Sequence, residues 1–295
     1  MVHVERPETL AEASALAIEH GDEAKFVSGG TAVVLMLTQG LIYPRILISL
    51  DGLHTAADAP GWTSVWQDND DIVIGAGVTL SQVAGNSLVR GCVPSLSQAA
   101  SVVGNIRIRN VATLGGNVAE ADYASDPPSV LVSLGASIEV VGPNGLRRVP
   151  AQEIFQDFYT TSLTEGEVIT AIRVPRRTDV STQYLKFRSR SAEDRPCVGV
   201  ATVLGLDADG VVTTLEVAVG AVCSVPQRFH DTLAQHLGRR WGAEIIDHVA
   251  HEYARRIAPI DDARGSRTYR TRLVSVLIRR SLMAVLEEQE TRRGE

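Results

Sequence analysis

The chain has 295 residues, of which 44% are hydrophobic, and carries a formal net charge of −7 with a pI of about 5.6. This acidic balance gives no electrostatic basis for binding nucleic acid, so we exclude that class of partner. Length alone favours two domains, each with its own core. No apolar run approaches the roughly 20 residues that span a bilayer, and the first residues lack an apolar signal core. The sequence therefore predicts a soluble, cytoplasmic protein without a membrane span.

The first 52 residues are predicted to form a small unit of mixed helix and strand. Thr9 and Glu12 have the spacing of a capping box at the start of an apolar helical face, and Gly21 ends that helix. A short strand at 25–28 leads into a Gly-Gly turn and a short apolar helix. A second strand follows at 46–50.

The middle of the chain carries the signals of antiparallel strands. A hairpin turn is predicted at Asp68–Asp71, and a stronger one at Gly142–Gly145. Gly75-Ala76-Gly77 follows a strand but lacks the third glycine of a dinucleotide fingerprint, so we reject that fold. A strand at Val168–Val174 stops at Pro175, and a polar segment follows it.

A domain boundary is predicted in that polar segment, after residue 178. Three strands follow at 182–188, 198–206 and 211–219, and the remainder is helical. The fold class is therefore α+β. The predicted divisions are a first domain of residues 1–178, with subdomains of about 1–52 and 53–178, and a second domain of residues 179–295.

The most informative stretch is Thr113–Asp126, which has adjacent glycines and no lysine or arginine before Pro127 and Pro128. It is predicted to be a loop leading into a helix, with Asp126 as the N-cap and proline in the first turn. Glycines let the backbone approach a ligand closely, and exposed N–H groups can hold phosphate oxygens. The alternative is a surface loop between packing elements, and the residues alone leave both open.

A second glycine pair lies roughly 85 residues upstream, in Ser28-Gly29-Gly30-Thr31. Taken alone it favours an ordinary tight turn, but with Thr31 it could also cradle an anion at a helix start. Two such segments together suggest that one large, multiply charged ligand is bound between them.

A dense charged segment follows at Lys186–Arg195. A solvated loop is the default interpretation of such a run, and a cofactor or partner contact is the alternative. The three cysteines, Cys92, Cys197 and Cys223, are widely spaced, which argues against a disulfide framework and a metal cluster. No acid/base or nucleophile set stands out, so the sequence predicts neither catalytic residues nor a metal site.

Five motifs in order resemble a known family. They are Lys25–Thr31 (KFVSGGT), Ile108–Asn117 (IRNVATLGGN), Ala121-Asp122 with Asp126, Glu167–Pro175 (EVITAIRVP), and Lys186–Asp194 followed by Val198–Ala201. Together they resemble the FAD-binding medium subunit of molybdenum hydroxylases. This group includes the carbon monoxide dehydrogenase flavoprotein subunit and the flavin domain of xanthine dehydrogenase.

The resemblance implies a fold and a site. Two α+β subdomains of the vanillyl-alcohol-oxidase-like (PCMH) type would hold non-covalent FAD between them. A C-terminal domain with a three-stranded antiparallel sheet and helices would close over the flavin. The implied FAD-binding residues are Lys25, Val27, Ser28, Gly29, Gly30, Thr31, Thr113, Gly115, Gly116, Asn117, Asp126, Ile169 and Lys186.

The resemblance also implies roles for these residues. The two glycine segments would hold the pyrophosphate through backbone N–H groups. Asp126 would lie near the ribityl and ribose region, Ile169 against the adenine or flavin rings, and Lys186 near the isoalloxazine edge. Three positions depart from the family pattern: Ala32 replaces a polar residue, and Glu120 and Tyr123 stand where histidine and proline are common.

The implied activity is that of an oxidoreductase subunit in a heterohexamer. A large subunit would carry the molybdenum cofactor and a small subunit two [2Fe–2S] clusters. The FAD of this chain would collect electrons from the clusters and pass them to an external acceptor. Two alternatives stay open: a self-contained flavin oxidase or dehydrogenase, and a cofactor-free assembly or binding protein of the same fold.

Overall fold

The fold is built on three main sheets, described for residues 2–294 of a computed structural model. In chain order the strands are β1 His3–Glu5, β2 Ala24–Val27, β3 Ile46–Ser49, β4 Val65–Asp68, β5 Asp71–Gly75, β6 Ser137–Gly142, β7 Gly145–Pro150, β8 Phe155–Asp157, β9 Thr160–Thr161, β10 Val168–Pro175, β11 Ser181–Phe187, β12 Val198–Leu206 and β13 Val212–Gly220. The α-helices are α1 Leu10–His20, α2 Thr31–Thr38, α3 Leu80–Gly85, α4 Ser87–Cys92, α5 Pro94–Ser101, α6 Ile106–Arg109, α7 Leu114–Glu120, α8 Pro127–Ser133, α9 Ala151–Ile154, α10 His230–Ala234, α11 Ala243–Arg256 and α12 Arg267–Gly294.

The N-terminal unit is a parallel sheet of order β1-β3-β2 with α1 and α2 in its connections. The Thr9 hydroxyl accepts a hydrogen bond from the Glu12 amide, and α1 ends at Gly21, whose φ is +49°. Leu10 and Ala13 are buried on the face that the sequence predicted. The predicted helix and its limits are therefore confirmed.

The middle of the chain forms a five-stranded antiparallel sheet of order β4-β5-β10-β6-β7. Both predicted hairpins are present: Asp68 pairs with Asp71, and Gly142 pairs with Gly145. Strand β10 lies at the centre, and its two neighbours, β5 and β6, are separated by about 60 residues of the chain. A small β8–β9 hairpin was not predicted.

Arg173 of β10 joins the acidic ends of three neighbouring strands. Its Nε lies 2.7 Å from Glu139 Oε1 and its Nη1 3.1 Å from Asp71 Oδ2, and it also contacts Asp68. The arginine side chain is only 11% exposed. It is therefore the common partner of three carboxylates that converge on one point of the sheet, of which Glu139 also pairs with Arg148.

Replacing Arg173 with methionine is expected to lower the free energy of unfolding by about 3 kcal/mol, because the converging carboxylates lose their common partner. Urea denaturation would measure this, and added salt is expected to recover part of the loss by screening the repulsion. Arg45→Met is the matched control, since Arg45 and its partner Glu23 are both more than half exposed. A loss no larger than that of the control would contradict the prediction.

The C-terminal sheet is antiparallel, of order β11-β12-β13, and confirms the three strands predicted there. One face packs against α12. Val200 and Val217 on that side belong to a core shared with α11 and α12. The other face packs against α5 and α8, and there Tyr184, Ala201 and Ala218 join the core of the first domain. The C-terminal sheet is thus a wall of the space described next.

Candidate cofactor-binding cleft

A cleft of about 1290 Å³ lies where the N-terminal unit, the five-stranded sheet and the C-terminal sheet meet. Its wall includes Ile169 of β10, which is buried beside a bulge in the β6–β10 pairing. All the predicted site residues but one line the cleft; the exception is Val27, which lies on β2 away from its surface. Those in the lining are Lys25, Ser28, Gly29, Gly30, Thr31, Thr113, Gly115, Gly116, Asn117, Asp126, Ile169 and Lys186.

The first glycine segment presents hydrogen-bond donors to the cleft. Gly30, with φ of +70°, precedes α2, and within residues 2–294 the amides of Gly30, Thr31 and Ala32 have no acceptor. The Ser28 hydroxyl accepts from Thr113 Oγ1 at 3.2 Å, which leaves its own proton free to donate. Unpaired amides at the positive end of a helix bind anions. This segment can therefore hold a phosphate group.

The second glycine segment is not the loop that the sequence predicts. It is the first turn of α7, with Thr113 as the N-cap. The Gly115 amide donates to Ala76 O at 3.0 Å and the Gly116 amide to Thr113 Oγ1 at 3.1 Å. Both amides therefore have an acceptor within the protein, through packing and helix capping. The role of this segment at the phosphates stays a prediction.

Close packing explains the second glycine pair. A Cβ on Gly115 would lie 2.5 Å from the Ala76 Cβ, and one on Gly116 would lie 2.9 Å from Thr113 Oγ1. Glycine is unfavourable inside a helix, but here it lets α7 approach the neighbouring backbone. Gly75 and Gly77 are packed as closely. A Cβ on Gly75 would meet the carbonyl oxygens of Gly61 and Trp62, and one on Gly77 would meet the Trp62 ring.

The two glycine segments are in direct contact. A Cβ on Gly29 would lie 1.8 Å from the Val111 carbonyl oxygen, two residues before Thr113. The absence of a side chain at Gly29 therefore allows both segments to border one cleft.

Asp126 begins α8 as predicted but does not cap it. Its backbone is helical, and its side chain makes no capping bond. Asp126 Oδ1 accepts from the Tyr184 hydroxyl at 2.6 Å, and Oδ2 accepts from Lys186 Nζ at 2.9 Å. The predicted N-cap role was wrong because two buried donors from β11 compete for the carboxylate.

The Asp126–Lys186 pair is almost fully buried, with side chains 2% and 3% exposed. Burial raises the pKa of the Asp126 carboxyl and lowers the pKa of the Lys186 ammonium, and their direct contact opposes both shifts. Lys186 Nζ also donates to Val102 O at 2.8 Å. The pair therefore places a fixed dipole, shielded from solvent, in this part of the cleft wall.

Sequence reasoning missed several parts of the wall. Arg195 pairs with Asp122 at 2.8 Å, and both line the cleft together with Glu193. The charged segment after Lys186 is therefore partly cleft wall, not only a solvated loop. Tyr159 also lines it, with an unusual φ of +52°, and Tyr43 lines it while 85% exposed. No local sequence pattern predicts that either tyrosine lines the cleft, because only the tertiary fold brings them there.

Glu120, one of the departures from the family pattern, lies in the lining. Burial raises the pKa of its carboxyl above the ordinary value, and the positive charge of Lys25 opposes that shift. This carboxylate brings negative charge to the same cleft as the free amides of α2.

Two absences within the described residues bear on other kinds of site. Between residues 2 and 294, no three His, Cys, Asp or Glu side chains are grouped to hold a metal ion. Over the same residues, no helix has the length and apolar character to cross a bilayer.

Comparison with known protein families matches nearly the whole chain. Residues 1–177 match the family described as the FAD binding domain in molybdopterin dehydrogenase. Residues 183–285 match the CO dehydrogenase flavoprotein C-terminal domain.

Individual relatives agree. The chain is 28% identical to the carbon monoxide dehydrogenase medium chain of Afipia carboxidovorans over 94% of each chain. It is 30% identical to the nicotine 6-hydroxylase medium subunit of Paenarthrobacter nicotinovorans over 89% of each. Among solved structures, the carbon monoxide dehydrogenase of Hydrogenophaga pseudoflava superposes with a TM-score of 0.91 at 28% identity, covering 97% of both chains.

These matches confirm the fold and the resemblance drawn from the motifs. The chain belongs to the family of FAD-binding medium subunits of molybdenum-containing dehydrogenases.

Proposed function

We propose that this chain holds FAD non-covalently in its cleft, accepts electrons from [2Fe–2S] clusters on a small partner subunit and passes them to an external acceptor. The observation that carries this proposal is the cleft itself. It is of dinucleotide size, with unpaired helix amides at one place and a buried lysine–carboxylate pair at another.

The residues present fit FAD. The amides of Gly30, Thr31 and Ala32 and the Ser28 hydroxyl would hold the pyrophosphate. Asp126 and Lys186 would lie along the ribityl chain and the isoalloxazine edge, and Ile169 would pack against a ring. Thr113, Gly115, Gly116 and Asn117 would shape the wall, with Val27 behind it. Lys25 would add positive charge near the phosphates.

FAD, when bound, supplies the redox chemistry. The chain's own residues orient the ring system, exclude water from one side and fix the charge beside it. The buried Lys186 ammonium, held by Asp126 and the Val102 carbonyl, sets that charge without needing to exchange a proton.

The proposed partners follow from the family. The relatives are medium chains of larger enzymes. We propose a large molybdenum cofactor subunit and a small [2Fe–2S] subunit, assembled as a heterohexamer in the cytoplasm. From the same family membership, we also propose a domain boundary after residue 178.

The test compares the assembled complex with the isolated chain. Under anaerobic rapid mixing with the substrate of the molybdenum subunit, the complex is expected to reduce its iron–sulfur clusters before its flavin. The isolated chain is expected to leave that substrate unchanged. Turnover by the isolated chain would instead support a self-contained flavin enzyme. A complex that is active without flavin would support an assembly role.

Glu120→Gln is expected to raise stability and to tighten FAD binding severalfold at pH 8. The carboxyl pKa is above its ordinary 4.5 in the folded chain, so folding favours the protonated form. That favourable contribution is complete below pH 4.5 and is lost as the pH rises through the raised pKa. The advantage of the variant is therefore expected to vanish towards pH 4.5.

Thermal unfolding and FAD fluorescence titration at pH 5 and pH 8 would measure both effects. Glu153→Gln is the control, because Glu153 is exposed and lies outside the cleft lining. A Glu120→Gln variant that matches the wild type at pH 8 would contradict the prediction.

A further inference from the structure

Tyr184 is linked to the cleft only through Asp126, which lies in the cleft lining. It lies on β11, is buried, and is not part of the cleft lining. Its hydroxyl donates to Asp126 Oδ1 at 2.6 Å, across 58 residues of sequence. Burial and the Asp126 charge raise the pKa of Tyr184 well above its ordinary value, so the hydroxyl stays a donor at any working pH.

Lys186 uses the other oxygen of the same carboxylate. It stands two residues after Tyr184 on the same strand, so both side chains point to the same face. Lys186 Nζ lies 2.9 Å from Asp126 Oδ2. One carboxylate is thus held by two donors from a single strand, and only the lysine of these two donors reaches the cleft.

The neighbouring strand leaves room for the hydroxyl. Gly199 of β12 pairs with Lys186, and a Cβ there would lie 2.5 Å from the Tyr184 oxygen. The Gly199 backbone is not in the left-handed region, so no turn demands glycine at this place. The Tyr184 amide is fixed in turn by Gln98 Oε1 at 2.9 Å.

We propose that Tyr184 is a positioning residue for the bound flavin, acting through Asp126 and Lys186; this rests on the proposed function. The Tyr184 hydroxyl partly compensates the negative charge of Asp126 by donating a hydrogen bond to it. Asp126 therefore offsets less of the positive charge that the Lys186 ammonium presents to the cleft. Removing the hydroxyl leaves a more negative surrounding for the flavin. The reduced flavin, which carries added electrons, is then less stabilised.

Tyr184→Phe tests this directly in the full chain with added FAD. The variant is expected to bind FAD severalfold more weakly, because the Asp126–Lys186 pair in the cleft wall loses one of its supports. Its bound flavin is expected to have a more negative midpoint potential at pH 8. The difference is expected to shrink as the pH falls. The Asp126 carboxylate then keeps only the positive charges of Lys186 and Arg188 beside it, so it takes up a proton more readily than with the Tyr184 hydroxyl in place.

Tyr253→Phe is the matched control. Tyr253 is also a fully buried tyrosine, and its hydroxyl donates to Val217 O at 2.6 Å within the C-terminal core, outside the cleft lining. Its removal is expected to lower thermal stability without moving the potential of the flavin or its pH dependence.

Gly199→Ala supplies a second variant that keeps the tyrosine. Its methyl group displaces the hydroxyl from Asp126, so the flavin potential is expected to shift in the same direction. In the double variant with Tyr184→Phe the methyl meets no hydroxyl, so the two shifts are expected not to add.

The outcomes separate the two proposals. Wild-type FAD affinity and potential in both Tyr184→Phe and Gly199→Ala, in a chain that binds FAD, would overturn the role of Tyr184 and leave the proposed function intact. Equal shifts in Tyr253→Phe would also overturn it, as a general effect of stability. A wild-type chain that takes up no FAD would overturn both proposals.

Discussion

Asp126→Ala is expected to lower the free energy of unfolding by about 3–5 kcal/mol and to abolish FAD binding at micromolar concentrations. The substitution leaves the Lys186 ammonium buried without a counter-charge and the Tyr184 hydroxyl without an acceptor. An uncompensated buried charge is among the most destabilising changes in a folded protein. Chemical denaturation and FAD titration would measure the two losses.

Asp231→Ala is the control for that experiment. Asp231 is likewise half of an ion pair, with Arg256, but its side chain is 73% exposed, so its loss is expected to change stability far less than the loss of Asp126. Asp126→Asn gives a further check. Since the lysine can relieve its burial by losing a proton, this variant is expected to recover stability as the pH rises. An Asp126→Ala chain as stable as the control variant would contradict the prediction.

Gly29→Ala is expected to lower the free energy of unfolding by about 3 kcal/mol and to abolish FAD binding. The new Cβ would lie 1.8 Å from the Val111 carbonyl oxygen and 2.6 Å from its carbon. Backbone atoms cannot move aside as the end of a side chain can. The two segments that border the cleft must therefore separate.

The control for Gly29 is Gly91→Ala in α4. No atom lies within 4 Å of the Cβ position at Gly91, so this change is expected to be neutral or to stabilise the helix by about 0.5–1 kcal/mol. Neither backbone is in the left-handed region, so the comparison isolates crowding from strain. Normal FAD binding by Gly29→Ala would show that the two segments need not touch.

The parts of this structure predicted from sequence are those that local chemistry decides. The turn at Gly142–Gly145 follows from its own four residues, and the cap at Thr9 from residues three apart. Asp126 was assigned a local role by the same rules. Its actual partners, Tyr184 and Lys186, come from a strand about 60 residues later, where no local rule applies.

The second glycine pair also shows that local rules fail where tertiary packing decides the structure. Gly115 and Gly116 predict a loop by intrinsic preference, yet they lie in the first turn of α7. Tertiary packing accounts for Gly115, because a side chain there would collide with Ala76. The motifs located the cleft but did not show which backbone amides are free. The unpaired amides belong to α2, and only the hydrogen-bond pattern of the folded chain distinguishes them.

An absorption spectrum of the purified chain, followed by release of its chromophore and separation of FAD from FMN, is the first measurement to make. The structure predicts one FAD per chain, released without breaking a covalent bond, and no iron. A colourless chain that takes up added FAD to the same stoichiometry would give the same answer. A chain that binds no FAD under any loading condition would contradict the assignment of the cleft.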